Sequence, residues 1–152
     1  MIKMAKRGKG YKFLDNITSA DVAFEGRGES LDSLFENCAY ALENVMINRL
    51  DKVSVDKVKK ITVKAGDIDQ LLLLFLHEVI TLKDIERMVF SEFKVRISRD
   101  GDKGYMLRCV CKGSKIDPKL HDTVVDVKGI SMHRLKVEGR EGAYRAMVVV
   151  DV

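Results

Sequence analysis

The chain of 152 residues has few cysteines, prolines and aromatic side chains: it holds three cysteines, one proline and no tryptophan. The odd number of cysteines and the lack of a CxxC pair argue against a disulfide framework or a zinc site. Aromatic residues make up 7% of the chain and are scattered, so a platform for stacking single-stranded bases is not expected.

The longest apolar run, residues 71–76, is too short to cross a bilayer. No apolar segment follows the basic N-terminal residues, so no signal peptide is predicted and we expect a cytoplasmic protein.

The net charge of +4 is concentrated in the first residues, where Lys3, Lys6, Arg7 and Lys9 occur. We predict a basic, disordered tail over residues 1–10, followed by a folded part that is close to neutral. The tail is suited either to attract RNA or an acidic protein, or simply to remain a solvated arm. No continuous basic face is expected after the tail, so autonomous nucleic-acid binding is not predicted.

The end of the sequence is unusually apolar. Residues 147–150 form a continuous apolar run that predicts a buried strand. This run ends in Asp151, one residue before Val152. Two interpretations remain open: an edge strand with a solvated acid at its tip, or one half of a metal or partner site.

Two amphipathic helices are predicted from apolar residues at helical spacing. The first covers about 31–46 with Ser30 as its N-cap, and the second begins after Asp67 as N-cap and ends near residue 82. Alternating patterns and turn residues predict the remaining extended segments. The predicted strands cover residues 11–14, 21–26, 61–65, 88–98, 105–112, most of 124–138, with a possible bulge at Gly129, and 143–152.

The order of these elements suggests that one motif is nested inside another. Residues 57–112 read strand, helix, strand, strand, and the flanking segments 11–50 and 124–152 read the same way. We therefore predict an α+β fold of two interleaved strand-helix-strand-strand modules, with antiparallel sheets each covered by a helix. Residues 11–152 would form a single domain, made of the outer module and the inserted module.

The nesting would bring acidic residues together. If the first and last outer strands are antiparallel neighbours, Asp21 lies beside Asp151 and the carboxylate of Val152. Clustered anions repel one another unless a cation or hydrogen-bond donors compensate them. A set of oxygen ligands suits a hard divalent cation such as calcium, magnesium or manganese.

Several short blocks of sequence occur in a specific order and spacing. They are SADV at 19–22, SLDSLFEN at 30–37, LLLFLHE at 72–78, DI at 84–85, KGISMH at 128–133 and VVDV at 149–152. Together they resemble the archease family over nearly all of residues 11–152. That family is described as two strand-helix-strand-strand modules, one inserted in the other, which agrees with the element order above.

The resemblance also implies a site. The acid of the family's His-Thr-Ala-Asp motif falls on Asp21, its penultimate acid on Asp151 and its last residue on Val152. In the family these positions form a cation site described as calcium-binding. The histidine of the first motif is missing here, and the loop before the acid is longer by about two residues. Lys128 and His133 match a lysine-to-histidine segment of the family and are candidates for supporting the site or a partner.

The resemblance further implies a non-catalytic activator of an RtcB-type 3'-phosphate RNA ligase. Such a protein promotes guanylylation and multiple turnover of the ligase in tRNA splicing and RNA repair, and it meets tRNA only through the ligase. No membrane or DNA partner is expected. The alternative is a chaperone-like modulator of a tRNA-modifying enzyme, such as a tRNA methyltransferase. An independent metal-dependent phosphohydrolase is disfavoured, because the chain lacks a Gly-rich phosphate loop, an HExxH segment and a nucleophile–base constellation.

Overall fold

A computed structural model of the protein describes residues 10–14 and 21–152. The predicted basic tail, apart from Gly10, and the loop 15–20 lie outside the described residues. The helices are α1 (Leu31–Met46), α2 (Ile68–Glu86) and the short α3 (Pro118–His121), with 3-10 turns at Leu50–Lys52 and Met132–Arg134. The strands are β1 (Tyr11–Phe13), β2 (Asp21–Gly28), β3 (Lys57–Ala65), β4 (Met88–Asp100), β5 (Gly104–Lys115), β6 (Gly129–Ile130), β7 (Lys136–Arg140) and β8 (Ala143–Asp151).

The strands form two antiparallel sheets. The five-stranded sheet has the order β1-β2-β8-β6, and β7 pairs with β8 as well. The three-stranded sheet has the order β3-β5-β4 and uses only strands from the middle of the chain. The helix α1 packs against β2 and β8 and also against β4, whereas α2 packs against all three strands of the smaller sheet. This architecture confirms the predicted α+β fold of nested modules.

The N-terminus of α1 lies where the sequence predicts it. The Ser30 hydroxyl accepts a hydrogen bond from the Ser33 backbone N–H at 3.1 Å, and the Ser33 hydroxyl accepts one from the Ser30 N–H at 3.1 Å. These two bonds satisfy donors that would otherwise be unpaired in the first turn. Because the cap defines the start of the apolar periodicity, the predicted and observed bounds of α1 agree.

The second helix also starts as predicted but ends later. The Asp67 carboxylate accepts the Gln70 N–H at 2.8 Å and caps the helix. The helix continues to Glu86 and is closed by Arg87 in the left-handed conformation, with φ 55°. The prediction of an end near residue 82 is wrong because Lys83, a charged residue that suggests a surface linker, is buried and paired with carboxylates.

The core surrounds α1 on almost every side. From Leu34 to Met46 only Glu36 and Asn37 are more than marginally exposed, and even Glu43 and Asn44 are buried. The interpretation of α1 as a helix with a single core face is therefore incomplete. The largest fully buried side chains include Phe24, Phe35, Phe75 and Phe90. Within the described residues, no helix combines the length and hydropathy needed to span a membrane.

The polar side chains of α1 hydrogen-bond the edge of the smaller sheet. Four of them accept backbone N–H groups of β4, and we call this set the edge ladder. Its rungs are Asp32 to Ile97 at 2.9 Å, Glu36 to Val95 at 2.9 Å, Tyr40 to Phe93 at 3.1 Å and Glu43 to Phe90 at 3.1 Å. Four helical residues rise about 6 Å and two strand residues rise about 6.6 Å, so successive rungs stay in step. The last two rungs, at Tyr40 and Glu43, are three residues apart on α1, and their partners Phe93 and Phe90 are three residues apart on β4. The irregular step coincides with a bulge in β4 between Phe90 and Glu92.

The segment 124–138 is not mostly extended, contrary to prediction. Both β6 and β7 pair with the edge of β8 that β2 leaves open: β6 pairs with Val150 and Asp151, and β7 pairs with residues 143–147. The chain must leave the sheet between these two short pairings. It does so through the 3-10 turn Met132–Arg134, and Gly129 is the first residue of β6 rather than a bulge.

Candidate functional site

The first residue of β2 lies directly opposite the last residue of β8. The antiparallel register pairs Asp21 with Asp151 and Val22 with Val150, and it continues without a shift to Gly28. Residues directly opposite each other project to the same face of a sheet, with Cβ atoms about 4.5–5.5 Å apart. A cation with oxygen ligands at about 2.3–2.6 Å is therefore able to contact both carboxylates.

Buried apolar side chains fix the position of Asp151. Val148, Val149 and Val150 are almost completely buried, whereas Met147 at the start of the predicted buried run is 38% exposed. The partners of these valines on β2 include the buried Phe24. Since this part of β8 is packed and paired, its last residue is held in place although its side chain is exposed.

A third strand meets Asp151 from its other side. Gly129 is paired with Asp151, and the Lys128 backbone N–H donates to the Asp151 carbonyl oxygen at 2.9 Å. A Cβ atom added to Gly129 would lie 3.9 Å from Asp151 Oδ2. The missing side chain thus leaves one carboxylate oxygen accessible from this side, as expected where a glycine lies in a strand near a functional group.

An ion pair anchors the segment that leads into β6. The buried Lys83 of α2 contacts Asp126 and lies 2.7 Å from Asp84. Burial lowers the pKa of Lys83, but its hydrogen bonds to Asp126 and Asp84 outweigh burial and hold the pKa above its ordinary value. The hydrogen bond from Lys83 lowers the pKa of Asp126. This anchor and the buried Val127 hold the backbone of Lys128 against the end of β8.

The other residues suggested by the sequence lie at different distances from this pair. The backbone N–H of Lys128 donates to the Asp151 carbonyl oxygen, and the Lys128 side chain is exposed. His133 is exposed in the 3-10 turn, and within the described part of the chain no hydrogen bond or ion pair joins its imidazole to either aspartate. Val152 is half-buried and its side chain packs against the core.

The donors are of the right chemical kind for a hard cation but form an incomplete set. Among residues 10–14 and 21–152, no three His, Cys, Asp or Glu side chains cluster in a way that could hold a metal ion. Asp21 and Asp151 supply carboxylate oxygens, whereas calcium takes six to eight oxygen ligands. Backbone carbonyls, water or a partner would have to supply the remainder.

Sequence reasoning missed the contribution of β6. It interpreted Gly129 as a possible bulge, and it named Lys128 only as a candidate for supporting the site or a partner. The available signal was a glycine at the start of a short apolar segment, which marks a close backbone approach. That signal does not say which strand end is approached, because the pairing partner is a residue much later in the chain.

The fold defines a small α+β protein in which two aspartates lie at the adjacent ends of β2 and β8 in the larger sheet. Comparisons with known proteins identify its family. The model of the archease protein family matches residues 11–152. Protein archease of Pyrococcus abyssi is 37% identical over 135 residues, covering 88% of this chain and 94% of that protein. Protein archease of Methanosarcina mazei is 31% identical over 149 residues, covering 98% and 100%.

Solved structures agree with the sequence matches. The solution structure of protein 1598 from Methanobacterium thermoautotrophicum has a TM-score of 0.77 at 26% identity, covering 95% of this chain and 99% of that one. A crystal structure described as an archease and possible chaperone from Thermotoga maritima has a TM-score of 0.52 at 19% identity, covering 89% and 93%, and so supports the fold alone. The chain belongs to the archease family.

Proposed function

We propose that this protein is a non-catalytic activator of an RtcB-type 3'-phosphate RNA ligase and acts through a divalent cation held at the ends of β2 and β8. The observation that carries the proposal is the register that sets Asp21 opposite Asp151. Membership of the archease family supplies the partner, by resemblance, and the tRNA-splicing and RNA-repair context.

The chain's own residues would bind and orient the cation. Asp21 and Asp151 offer hard oxygen ligands, which suit calcium, with magnesium and manganese as alternatives. The Lys128 N–H bond holds the Asp151 backbone, and the resemblance assigns the carboxylate of Val152 to the same set. A cation bound there would supply positive charge for phosphate groups during guanylylation of the ligase.

The first test measures cation binding without any ligase. Titration calorimetry with calcium, magnesium and manganese is expected to detect binding to the unmodified protein. The variants Asp21→Asn and Asp151→Asn should bind at least about tenfold more weakly, since each removes one charged ligand. Asp102→Asn, which alters an exposed aspartate in the β4–β5 turn, is the matched control and should bind as the unmodified protein does.

The second test measures ligase guanylylation and multiple turnover in the presence of each variant. Loss of stimulation by Asp21→Asn and Asp151→Asn, with full stimulation by Asp102→Asn, is expected. Residues appended after Val152 test the role that the resemblance gives to its carboxylate, because they convert that group to an amide. Full stimulation by both site variants would contradict the proposal.

A second candidate function, a chaperone-like modulator of a tRNA-modifying enzyme such as a tRNA methyltransferase, is favoured by a different observation. Leu120, Val124 and Val125 are 50%, 47% and 38% exposed and lie close together in sequence. The solved Thermotoga maritima relative is described as a possible chaperone. If this function holds, Val124→Ser with Val125→Ser should abolish stimulation of the methyltransferase, while Asp21→Asn should leave it intact.

A further inference from the structure

The outer face of the three-stranded sheet is strongly basic. Its side chains come from alternate residues of β3, β5 and β4, and no other described element packs on them. We call the six cationic residues of this surface the basic face: Lys60, Lys64, Lys94, Arg96, Arg108 and Lys112. The expectation that no continuous basic face follows the N-terminal tail is therefore wrong.

The strand register brings these charges together. Arg108 of the central strand lies opposite Arg96 of β4, and Val110 lies between Lys60 and Lys94. All six cationic side chains are exposed. Neighbouring strands are about 4.8 Å apart, and residues on the same face of a strand are about 6.6 Å apart. The charged residues therefore form a two-dimensional array in which neighbours are separated by one or two of these distances.

The basic face carries a net positive charge of its own, in addition to the four basic residues near the start of the chain. The face holds six of the chain's 27 basic residues and two of its 23 acids, Glu92 and Asp100, which leaves 21 basic and 21 acidic residues elsewhere. Lys64 lies 3.9 Å from Asp100. Among the described residues, the other five have no carboxylate within ion-pair distance.

Folding does not account for this arrangement. Lysines on β3 protect an open sheet edge from pairing with another chain, which explains Lys60 and Lys64. Arg108 is on the central strand, where no edge needs protection. Like charges directly opposite each other on a sheet are destabilising, so the Arg96–Arg108 pair works against the fold.

We propose that the basic face binds the phosphate backbone of RNA. A dense array of Lys and Arg is suited to neutralise successive phosphates and release their counterions. Protein interfaces are depleted in lysine and enriched in aromatic residues at their centres, and membrane-binding surfaces carry aromatic or leucine anchors. The outer positions of these strands carry no aromatic side chain, so the contact is with the backbone and not specific for sequence.

The experiment uses the full chain and a fluorescein-labelled single-stranded RNA, with anisotropy measured over a series of salt concentrations. With four to six phosphate contacts, the logarithm of the affinity should fall with the logarithm of salt with a slope of about −3 to −4. Arg96→Glu with Arg108→Glu should weaken binding at low salt at least about tenfold and make the slope less steep by about 1.4, since two phosphate contacts are lost. The N-terminal tail is the same in every variant, so it cannot produce this difference.

The matched control, Lys52→Glu with Lys119→Glu, makes the same change in net charge away from the face and should leave most of the affinity. Arg96→Gln with Arg108→Gln should lower RNA affinity while raising the thermal midpoint, which a purely structural role would not do. Absence of RNA binding at low salt, or equal losses in the control, would overturn the proposal. So would tighter binding of a polyglutamate peptide or of phosphatidylserine vesicles. No ligase is present, so a negative result here leaves the carboxylate-site proposal standing, and the reverse also holds.

Discussion

The two edges of the three-stranded sheet are completed in opposite ways. Along β4 the edge ladder of α1 accepts N–H groups with three carboxyl groups and one tyrosine hydroxyl. Along β3 no described element pairs with the outer edge, and the strand carries four lysines among its nine residues. One edge is buried and hydrogen-bonded by side chains, and the other is solvated and charged.

The difference shows what burial requires. An exposed edge needs only to discourage pairing with another chain, and water satisfies its backbone groups. A buried edge must find a partner for every N–H, because an unpaired buried group costs about 1–3 kcal/mol. The backbone groups in the middle of a helix are already paired within the helix. Acceptors on the α1 side chains therefore pair the N–H groups of β4, at a spacing along the helix that matches the spacing of those groups along the strand.

The largest effect is expected at the buried end of the ladder. Glu43→Ala removes the acceptor of the Phe90 N–H in a fully buried site, and we expect a loss of about 2–3 kcal/mol in the free energy of unfolding. Urea denaturation measures this loss. Glu78→Ala, on an exposed position of α2, is the control and should change stability by less than about 0.5 kcal/mol. Equal stability of the two variants would show that the ladder is not stabilising.

The same carboxyl group should make stability depend on pH. Burial raises the pKa of Glu43 well above its usual range, although the Phe90 N–H and Lys83 lower it in part. The folded state therefore keeps a proton that the unfolded chain loses above a pH of about 4.3. Stability should fall by as much as about 1.4 kcal/mol per pH unit from there up to the folded pKa. Glu43→Gln should remove this component of the slope, and an unchanged slope would contradict the assignment.

A smaller effect is expected further along the ladder. Tyr40→Phe keeps the ring contact with Phe93, at 5.3 Å between centroids, but leaves the buried Phe93 N–H unpaired, for a loss of about 1–2 kcal/mol. Asp32→Ala affects the partly buried Ile97 rung and should cost only about 0.5–1 kcal/mol. Amide exchange of Phe93 and Ile97 should show the same order. A larger loss at Asp32 than at Tyr40 would break the proposed dependence on burial.

The smallest effect on stability is expected at the opposite edge. Lys57→Val on exposed β3 should change the free energy of unfolding by less than about 0.5 kcal/mol, since it removes no buried contact. It should nevertheless increase self-association, seen by light scattering at high protein concentration, because a charge that blocks edge pairing is lost. Lys119→Val, outside both sheets, should not have this effect.

Local patterns predicted the elements well. Ser30 and Asp67 are recognisable N-caps, and the apolar periodicity that follows each of them defines a helix. Alternating apolar residues bounded by glycines and turn residues define most of the strands. Element order was sufficient to infer nested modules. The pairing of Asp21 with Asp151 was also accessible, because it follows from which strands are neighbours and not from details of packing.

Features that depend on register were not accessible. The basic face joins residues from three strands between Lys60 and Lys112, and no local segment is basic enough to reveal it. The edge ladder was hidden for a related reason. Asp32, Glu36 and Glu43 look like solvated positions on an amphipathic helix, and only the neighbouring strand edge makes them buried acceptors.

The ladder also joins parts of the chain that are synthesised at different times. Its rungs connect residues separated by 47, 53, 59 and 65 positions, with the acceptor always coming first. At about 5–20 residues per second, the acids and the tyrosine of α1 leave the ribosome roughly 2–13 s before their partners exist. During that interval water must solvate these groups, which carboxylates and a hydroxyl accept readily. An apolar helix face in the same place would instead be exposed to other nascent chains while it waits for β4.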